Sequence, residues 1–293
     1  MKSAFYGLHP SVSFAYFAVV LAFTMIFSHP VCLFISFMCG ALYAFRLFGR
    51  AAFCRRLSVI LALMLFTAVL NPLFSHRGVT ILAYLPGGNP LTAESLIYGL
   101  AAALMLGASA MWFLCFNAVM DSDKIICLFG QIMPSVSLVI TITLRLIPMY
   151  IRRIKDTWDI QKCADRGNGG HFAKIRSAFS VISSVTSWAL ESGIETADSM
   201  KARGYASSRR TSYSIYRFDT RDALCISIFT ALGAAFAVLA AFGAVSCSYF
   251  PVFAPELSAG SFAAFSVFAA LGLSPLIFDI REALKWRSLR SKT

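Results

Sequence analysis

Apolar residues in this chain gather into long unbroken runs, not into short alternating segments. A helix needs roughly 17–25 apolar residues to cross the hydrocarbon core of a bilayer. Six runs meet that length: 12–28, 31–48, 57–74, 95–120, 222–247 and 261–278. Only His29-Pro30 separates the first two, which predicts a tight helical hairpin. The stretch 79–85 is too short to span and too apolar for an open loop, and Pro86-Gly87-Gly88-Asn89-Pro90 follows it as a strong turn signal. That pattern predicts a small hairpin or re-entrant cap packed on protein, because lipid would leave its backbone groups unsatisfied. No short apolar segment with a small-residue cleavage site stands apart from the runs, so no removable signal peptide is expected.

Composition agrees with the runs. Of 293 residues 58% are hydrophobic, 27 are Phe, and only 14% are charged. A soluble fold of this size could not cover its surface with so few polar groups. The expected class is therefore an all-α, multi-pass membrane protein. The net charge of +12 is unevenly placed. Arg46, Arg50, Arg55 and Arg56 lie between the second and third runs, fourteen basic residues lie between 145 and 221, and Arg281, Lys285, Arg287, Arg290 and Lys292 form the tail. Six crossings with both termini cytoplasmic put every Lys and Arg except Arg77 on the inner side, as the positive-inside rule requires. This predicts a protein of the cell membrane and gives no reason to invoke nucleic acid. Three segments are expected: 1–124 with the first four spans, 125–218 between, and 219–293 with the last two spans and the basic tail.

The middle segment departs from a plain span pattern. Both ends of 125–150 are cytoplasmic in this topology, so it should lie along the membrane surface or dip in and return, with its Arg and Lys on one side of an apolar helix. A helix over 135–166 would be about 48 Å long at 1.5 Å per residue, with Pro148 bending it. It should stop at Gly167-Asn168-Gly169-Gly170, and a second helix of similar length should run over 171–203. Along that second helix Phe172, Ile175, Phe179, Ile182, Thr186, Ala189, Gly193, Ala197 and Met200 recur at the 3-4 spacing of a packing seam. Ala189, Gly193 and Ala197 fall four apart and are small, which would let two backbones cross closely. Both helices end on Arg-Gly: Arg166-Gly167 and Ala202-Arg203-Gly204. Glycine just past a helix end takes the left-handed conformation that stops it, and Arg in the last turn suits the helix dipole. A guanidinium held at a helix tip also offers planar, bidentate recognition of a carboxylate on a partner.

Chemistry-bearing residues are sparse elsewhere. The eight cysteines form no Cys-x-x-Cys pair and mostly sit in apolar runs, as small buried side chains do. His9, His29, His76 and His171 show no ligand spacing, so no metal site is expected. An intramembrane enzyme would need convergent acid-base groups at membrane depth. Asn71, Glu94, Asn117 and Asp279 are scattered near span ends instead, where capping explains them. A self-sufficient channel or secondary transporter would predict charges inside spans and a repeat relating the two halves. Neither is evident. No Gly-x-x-x-x-Gly-Lys-Ser/Thr loop is present, so the chain holds no nucleotide site of that kind, and neither cofactor nor catalytic residue is expected.

Several stretches together resemble one family. They are His9-Pro10, the run Asn71-Pro72-Leu73-Phe74-Ser75-His76-Arg77-Gly78, the run Gly88-Asn89-Pro90-Leu91-Thr92-Ala93-Glu94-Ser95, then Leu144-Arg145-Leu146-Ile147-Pro148, and most specifically Ala197-Asp198-Ser199-Met200-Lys201-Ala202-Arg203-Gly204-Tyr205 with Arg210-Thr211. Across nearly its whole length the chain resembles the transmembrane T component of energy-coupling factor (ECF) transporters. The resemblance implies a non-catalytic scaffold. It would join two ABC ATPase subunits to a membrane substrate-binding (S) component and couple ATP hydrolysis to uptake of a vitamin or metal ion. It also implies that Arg166-Gly167 and Ala202-Arg203-Gly204, at the ends of crossed coupling helices, each dock in a groove of one ATPase. Asp165 stands where that family often has Ala, and Ser11-Val12-Ser13 stand where basic residues often follow the His-Pro.

Overall fold

The computed structural model describes residues 7–75, 78–84, 90–130, 133–164, 171–205, 207, 216, 218–251, 253–255 and 258–290. Nine helices lie among them: α1 (Pro10–Ile26), α2 (Pro30–Phe48), α3 (Arg50–Phe74), α4 (Ala93–Val119), α5 (Ser122–Gly130), α6 (Pro134–Ala164), α7 (His171–Ala202), α8 (Thr220–Ala241) and α9 (Ala259–Arg290). Two short antiparallel pairs accompany them, β1 (Ile81–Tyr84) with β2 (Pro90–Thr92) and β3 (Cys247–Ser248) with β4 (Ala254–Pro255). The protein is thus an all-α membrane protein, and the apolar stretch after α3 is a hairpin. The chain divides into two compact units. One joins Met1–Lys124 with Tyr216–Thr293, so the first four and last two helices of the expected span set fold together, and the other is Ile125–Ile215.

Six helices are long and apolar enough to cross a membrane: α2, α3, α4, the Pro134–Cys163 stretch of α6, α8 and the Ala259–Arg281 stretch of α9. The set differs from the sequence expectation by one exchange. α6 meets the length and composition test, while α1, at 17 residues, is shorter. Yet α1 is deeply packed, with Val12, Tyr16, Phe17 and Val20 all buried. Its 17 residues rise about 25 Å, and the capping residues at each end bring it close to the thickness of the hydrocarbon core.

The same device starts α1 and α2. His9 and His29 are the N-caps, Pro10 and Pro30 occupy the first helical position, and each imidazole Nδ1 accepts a backbone N–H two residues on, from Ser11 and Val31, at 3.3 Å. Proline costs nothing there, because that N–H would lack a partner anyway. His9 does more. Its backbone N–H donates to Asp222 Oδ1 (3.2 Å), while Asp222 Oδ2 accepts from Asp219 N–H (3.1 Å) in the capping box of α8. One carboxylate therefore fastens the starts of α1 and α8 at the same face of the unit.

The opposite face is fastened by hydrogen bonds and aromatic contacts. The Tyr249 hydroxyl donates to the carbonyl of Ser28 in the α1–α2 turn. Tyr98, in the first turns of α4, packs edge-on against Tyr249 at 5.4 Å and beside Phe250 at 5.5 Å. Thr80 N–H lies 3.3 Å from both oxygens of Glu94, Ala93 N–H donates to Thr80 O (3.0 Å), and Ser95 Oγ donates to Ser75 O (2.6 Å). These bonds strap Ser75 and Thr80 to the start of α4. Gly78 belongs to the strap for a steric reason. Its φ is +139°, and a Cβ there would lie 2.5 Å from Glu94 Oε2. Helices therefore alternate in direction between two faces. Arg46, Arg50, Arg55, Arg56, Lys124 and Arg221 all belong to helix ends at the His9–Asp222 face, and Arg281 ends the apolar stretch of α9. Lys124 is wholly buried there and donates to Val119 O (3.0 Å), closing the end of α4.

Between these faces, a line of hydrogen bonds crosses the core. Trp112 Nε1 donates to Ser36 Oγ (3.0 Å), the Ser36 and Thr24 hydroxyls lie 2.8 Å apart, and Thr24 Oγ1 donates to Val20 O (2.8 Å). Tyr16 adds a bond to Leu271 O (3.1 Å). Around this line Tyr16, Phe17, Trp112 and Phe116 pack edge to face, and Phe229 lies tilted against Tyr16. Glycines allow the helices to approach. A Cβ on Gly40 would meet Met111 Cβ at 3.3 Å, on Gly99 would meet Ala68 O at 3.1 Å, and on Gly272 would meet Cys39 Cβ at 3.0 Å.

Two outcomes follow. Gly272→Val should force α9 off α2 and destabilise the unit by about 1–3 kcal/mol. Gly233→Ala, whose added carbon would find its nearest neighbour at 3.4 Å, should change stability by less than about 0.5 kcal/mol; thermal melting in detergent compares them. The second concerns His29, which is buried, with burial holding its imidazole below the usual value. The unfolded chain takes up a proton below about pH 6.5. The folded chain does so only at lower pH, so stability from this turn is complete above about pH 6.5 and is lost as pH falls through it. His29→Asn, which keeps a cap acceptor without the proton, should shrink the drop in melting temperature between pH 7.5 and pH 5; an equal drop in both proteins would refute this.

Candidate coupling site

The unit Ile125–Ile215 is built on α6 and α7, which pack on each other. α6 starts at Pro134, as its sequence suggests, and stays helical through Pro148. Its half-buried positions are Ser137, Leu138, Ile142, Leu146 and Tyr150, then Thr157, Trp158 and Gln161. The four-residue spacing puts them on one stripe. The matching stripe of α7 holds Val181 and Val185, both buried, then Trp188, Ala189, Ser192, Thr196 and Met200. Near the middle of both helices Tyr150 and Trp188 meet edge to face at 5.7 Å, and the Arg153 guanidinium lies 5.3 Å above the Trp188 ring. Trp188 is the anchor of the pair, receiving an aromatic edge and a cation on one indole.

This seam corrects the one expected from periodicity. Ala189 and Met200 belong to it, but Ile182, Thr186, Gly193 and Ala197 are each displaced by one residue from the positions that pack. Gly193 is exposed, and nothing lies within 4 Å of a Cβ added there. Ala197 is exposed as well. The small-residue row is thus not where the two backbones approach. One residue is about 100° round a helix, so α7 carries two neighbouring stripes, and only one meets α6. The Val181–Val185–Trp188 stripe wins because Trp188 has both Tyr150 and Arg153 to pack against. The other stripe keeps its large apolar residues uncovered, with Phe172 89% exposed, Phe179 69% and Ile182 61%.

The end of α7 is sharply defined. Gly204 N–H donates to Lys201 O (2.9 Å), Tyr205 N–H donates to Met200 O (3.0 Å), and Gly204 has φ +84°. That pair of bonds around a left-handed glycine is the Schellman stop. It fixes Ala202, Arg203 and Gly204 at the helix terminus, all exposed. Arg203 has no carboxylate within ion-pair distance among the described residues, whereas Lys162 lies 3.5 Å from Asp159. The matching motif at the end of α6, Arg166-Gly167, lies outside the described residues. So do Asp165 and the Arg210-Thr211 pair.

Ala164 and His171 are seven residues apart in sequence, so at most about 25 Å of chain can join them. From His171, α7 runs on for about 46 Å. The C-terminal ends of α6 and α7 are therefore at least about 20 Å apart. Among the described residues no cluster of three His, Cys, Asp or Glu side chains gathers to hold a metal ion. What the unit offers is a rod pair with an exposed cation at one defined tip and an uncovered apolar stripe. Sequence reasoning missed the Arg153–Trp188–Tyr150 anchor. A Trp in mid-helix flanked by small residues was its only available signal. No protein-family model matches the chain, and no curated protein matches it.

The two glycines of α7 should respond oppositely to alanine. Gly193→Ala should stabilise by about 0.5–1 kcal/mol, because it removes a helix-interior glycine in open space. Gly204→Ala should destabilise the helix end by about 1 kcal/mol, because alanine resists positive φ. Hydrogen exchange of the last turn of α7, with and without each change, reads both.

Proposed function

We propose that this protein is the coupling scaffold of an ECF-type ABC importer, a non-catalytic subunit. In this reading two cytoplasmic ATPases grip the tips of α6 and α7, and a membrane S component rests on the apolar stripes. The observation that carries the reading is the Schellman-capped end of α7. It holds an exposed Arg203, with no carboxylate in ion-pair distance among the described residues, at the tip of a helix about 48 Å long, within the stretch that most resembles the family. Three further features support it. The two helix ends lie too far apart for one small groove to take both, as two separate motors require. The stripe Phe172, Ile175, Phe179 and Ile182 is left open for a partner or for lipid. Basic helix ends collect at the His9–Asp222 face, which the positive-inside rule makes cytoplasmic, so both termini fall inside the cell.

The mechanism follows from stiffness. ATP binding draws the ATPases together and hydrolysis parts them. A helix tip held by each would move with it, and a seam anchored at Trp188 would turn that motion into tilting of the apolar stripes beneath the S component. A capped helix transmits such a push better than a fraying one, which gives Gly204 a role beside Arg203. The S component selects the substrate, so specificity for a vitamin or metal ion would reside there.

Arg203→Glu should abolish ATPase co-purification and uptake while leaving membrane levels unchanged. Arg203→Lys, which keeps charge but loses the bidentate fork, should fall between. Normal capture of both ATPases by Arg203→Glu, with transport intact, would sink the assignment.

A further inference from the structure

The α2–α3 turn carries a group the coupling role does not use. Gly49, at φ +73°, reverses the chain between the two helices, and Phe45 and Phe53 meet edge to face across it at 5.5 Å. Arg46, Arg50, Arg55 and Arg56 lie within eleven residues of sequence. No Asp or Glu precedes Glu94 anywhere in the chain. Among the described residues, none of these four arginines has a carboxylate within ion-pair distance.

Arg56 is the member stacked on a ring. Its guanidinium carbon sits 3.6 Å from the centroid of the Phe48 ring, and Nη1 is shut off from water with no hydrogen-bond acceptor. Helical side chains lean toward the N-terminus, so Arg56 leans toward the turn. Stacking on Phe48 holds the plane of the cation and strips part of its hydration. A partly desolvated cation gains more from an anion than a solvated one does. Below the turn the surface is oily. Arg55, Val59, Leu63 and Phe66 follow one another at four- and three-residue spacing on one face of α3, with Val59 67% exposed and Phe66 62%. Along the whole of α3 the buried residues are Ile60 and Pro72.

We propose that this turn binds an anionic phospholipid, its phosphate on Arg56 and Arg55 and its acyl chain along Val59, Leu63 and Phe66. An anion on top of an apolar stripe is the chemistry of an amphiphile. An acidic protein surface would satisfy the arginines and leave the stripe below them bare, so lipid is the occupant that fits both halves.

The test uses the purified full chain in a neutral detergent. Its melting temperature is followed while phosphatidylglycerol, phosphatidylcholine, inorganic phosphate or poly-glutamate is added. Phosphatidylglycerol should stabilise at low mole ratio and phosphatidylcholine should not. Each basic residue near an anionic headgroup contributes about fivefold in affinity, so Arg56→Gln and the exposed Arg55→Gln should each weaken the effect by about that factor. Arg221→Gln, at the same face but on α8, should leave it unchanged. Arg55→Gln serves alone if Arg56→Gln folds poorly. Four results would overturn the proposal: equal response to both lipids, an unaltered response in Arg55→Gln and Arg56→Gln, a loss in Arg221→Gln as large as theirs, or stabilisation by free phosphate or poly-glutamate matching that of the lipid.

Discussion

Helices in a bilayer gain no hydrophobic energy by leaving lipid for one another, since acyl chains are as apolar as leucine. What holds the first unit together must therefore be polar bonds that lipid cannot offer and contacts close enough for dispersion to accumulate. The line Trp112–Ser36–Thr24–Val20 supplies the first, running through α4, α2 and α1 in one donor direction. Gly40, Gly99 and Gly272 supply the second, by removing the side chain where α2 meets α4, α3 meets α4 and α2 meets α9. Such interhelical hydrogen bonds are worth on average about 0.6 kcal/mol each. Their effect here is on register more than on energy, because a shifted helix would leave an indole N–H or a hydroxyl with no partner in hydrocarbon.

The two faces of this unit are finished differently. At one, the Asp222 carboxylate joins the starts of α1 and α8, and Lys124 closes α4. At the other, Glu94 and Ser95 hold Thr80 and Ser75 against α4, while Tyr249 reaches the carbonyl of Ser28. Stretches that carry the family resemblance, His9-Pro10 and the pieces around Asn71-Pro72 and Thr92-Ala93-Glu94-Ser95, take part in these fastenings beside Asp222, Lys124 and Tyr249. Their shared role is to fix helix ends, which explains polar residues in a chain that otherwise has few.

The second unit is organised on a different economy. α6 and α7 cover one stripe each and leave the other open. A large exposed apolar stripe beside a row of charges is unstable in water unless lipid or a partner covers it. In the proposed scaffold role that incompleteness is functional, because a surface already saturated by its own chain could not receive an S component.

Run lengths, charge placement and turn residues were enough to read the all-α membrane class, the tight turn between α1 and α2, a small hairpin or re-entrant cap after α3, the two long helices and the glycine stop after Arg203. Each depends on a local rule: how many apolar residues cross a bilayer, which residue tolerates positive φ, where proline costs nothing. Tertiary structure alone chose which stripe of α7 packs, since periodicity shows that Val181 and Val185 share a face, and equally that Phe179 and Ile182 do, without saying which finds Tyr150 and Arg153. It likewise decided that the close backbone approaches fall at Gly40, Gly99 and Gly272 and not at Gly193, and that His9 serves α8 through Asp222. A single chain records which residues lie near one another along a helix. Partners 213 residues apart, as His9 and Asp222 are, become neighbours only when the helices are laid side by side.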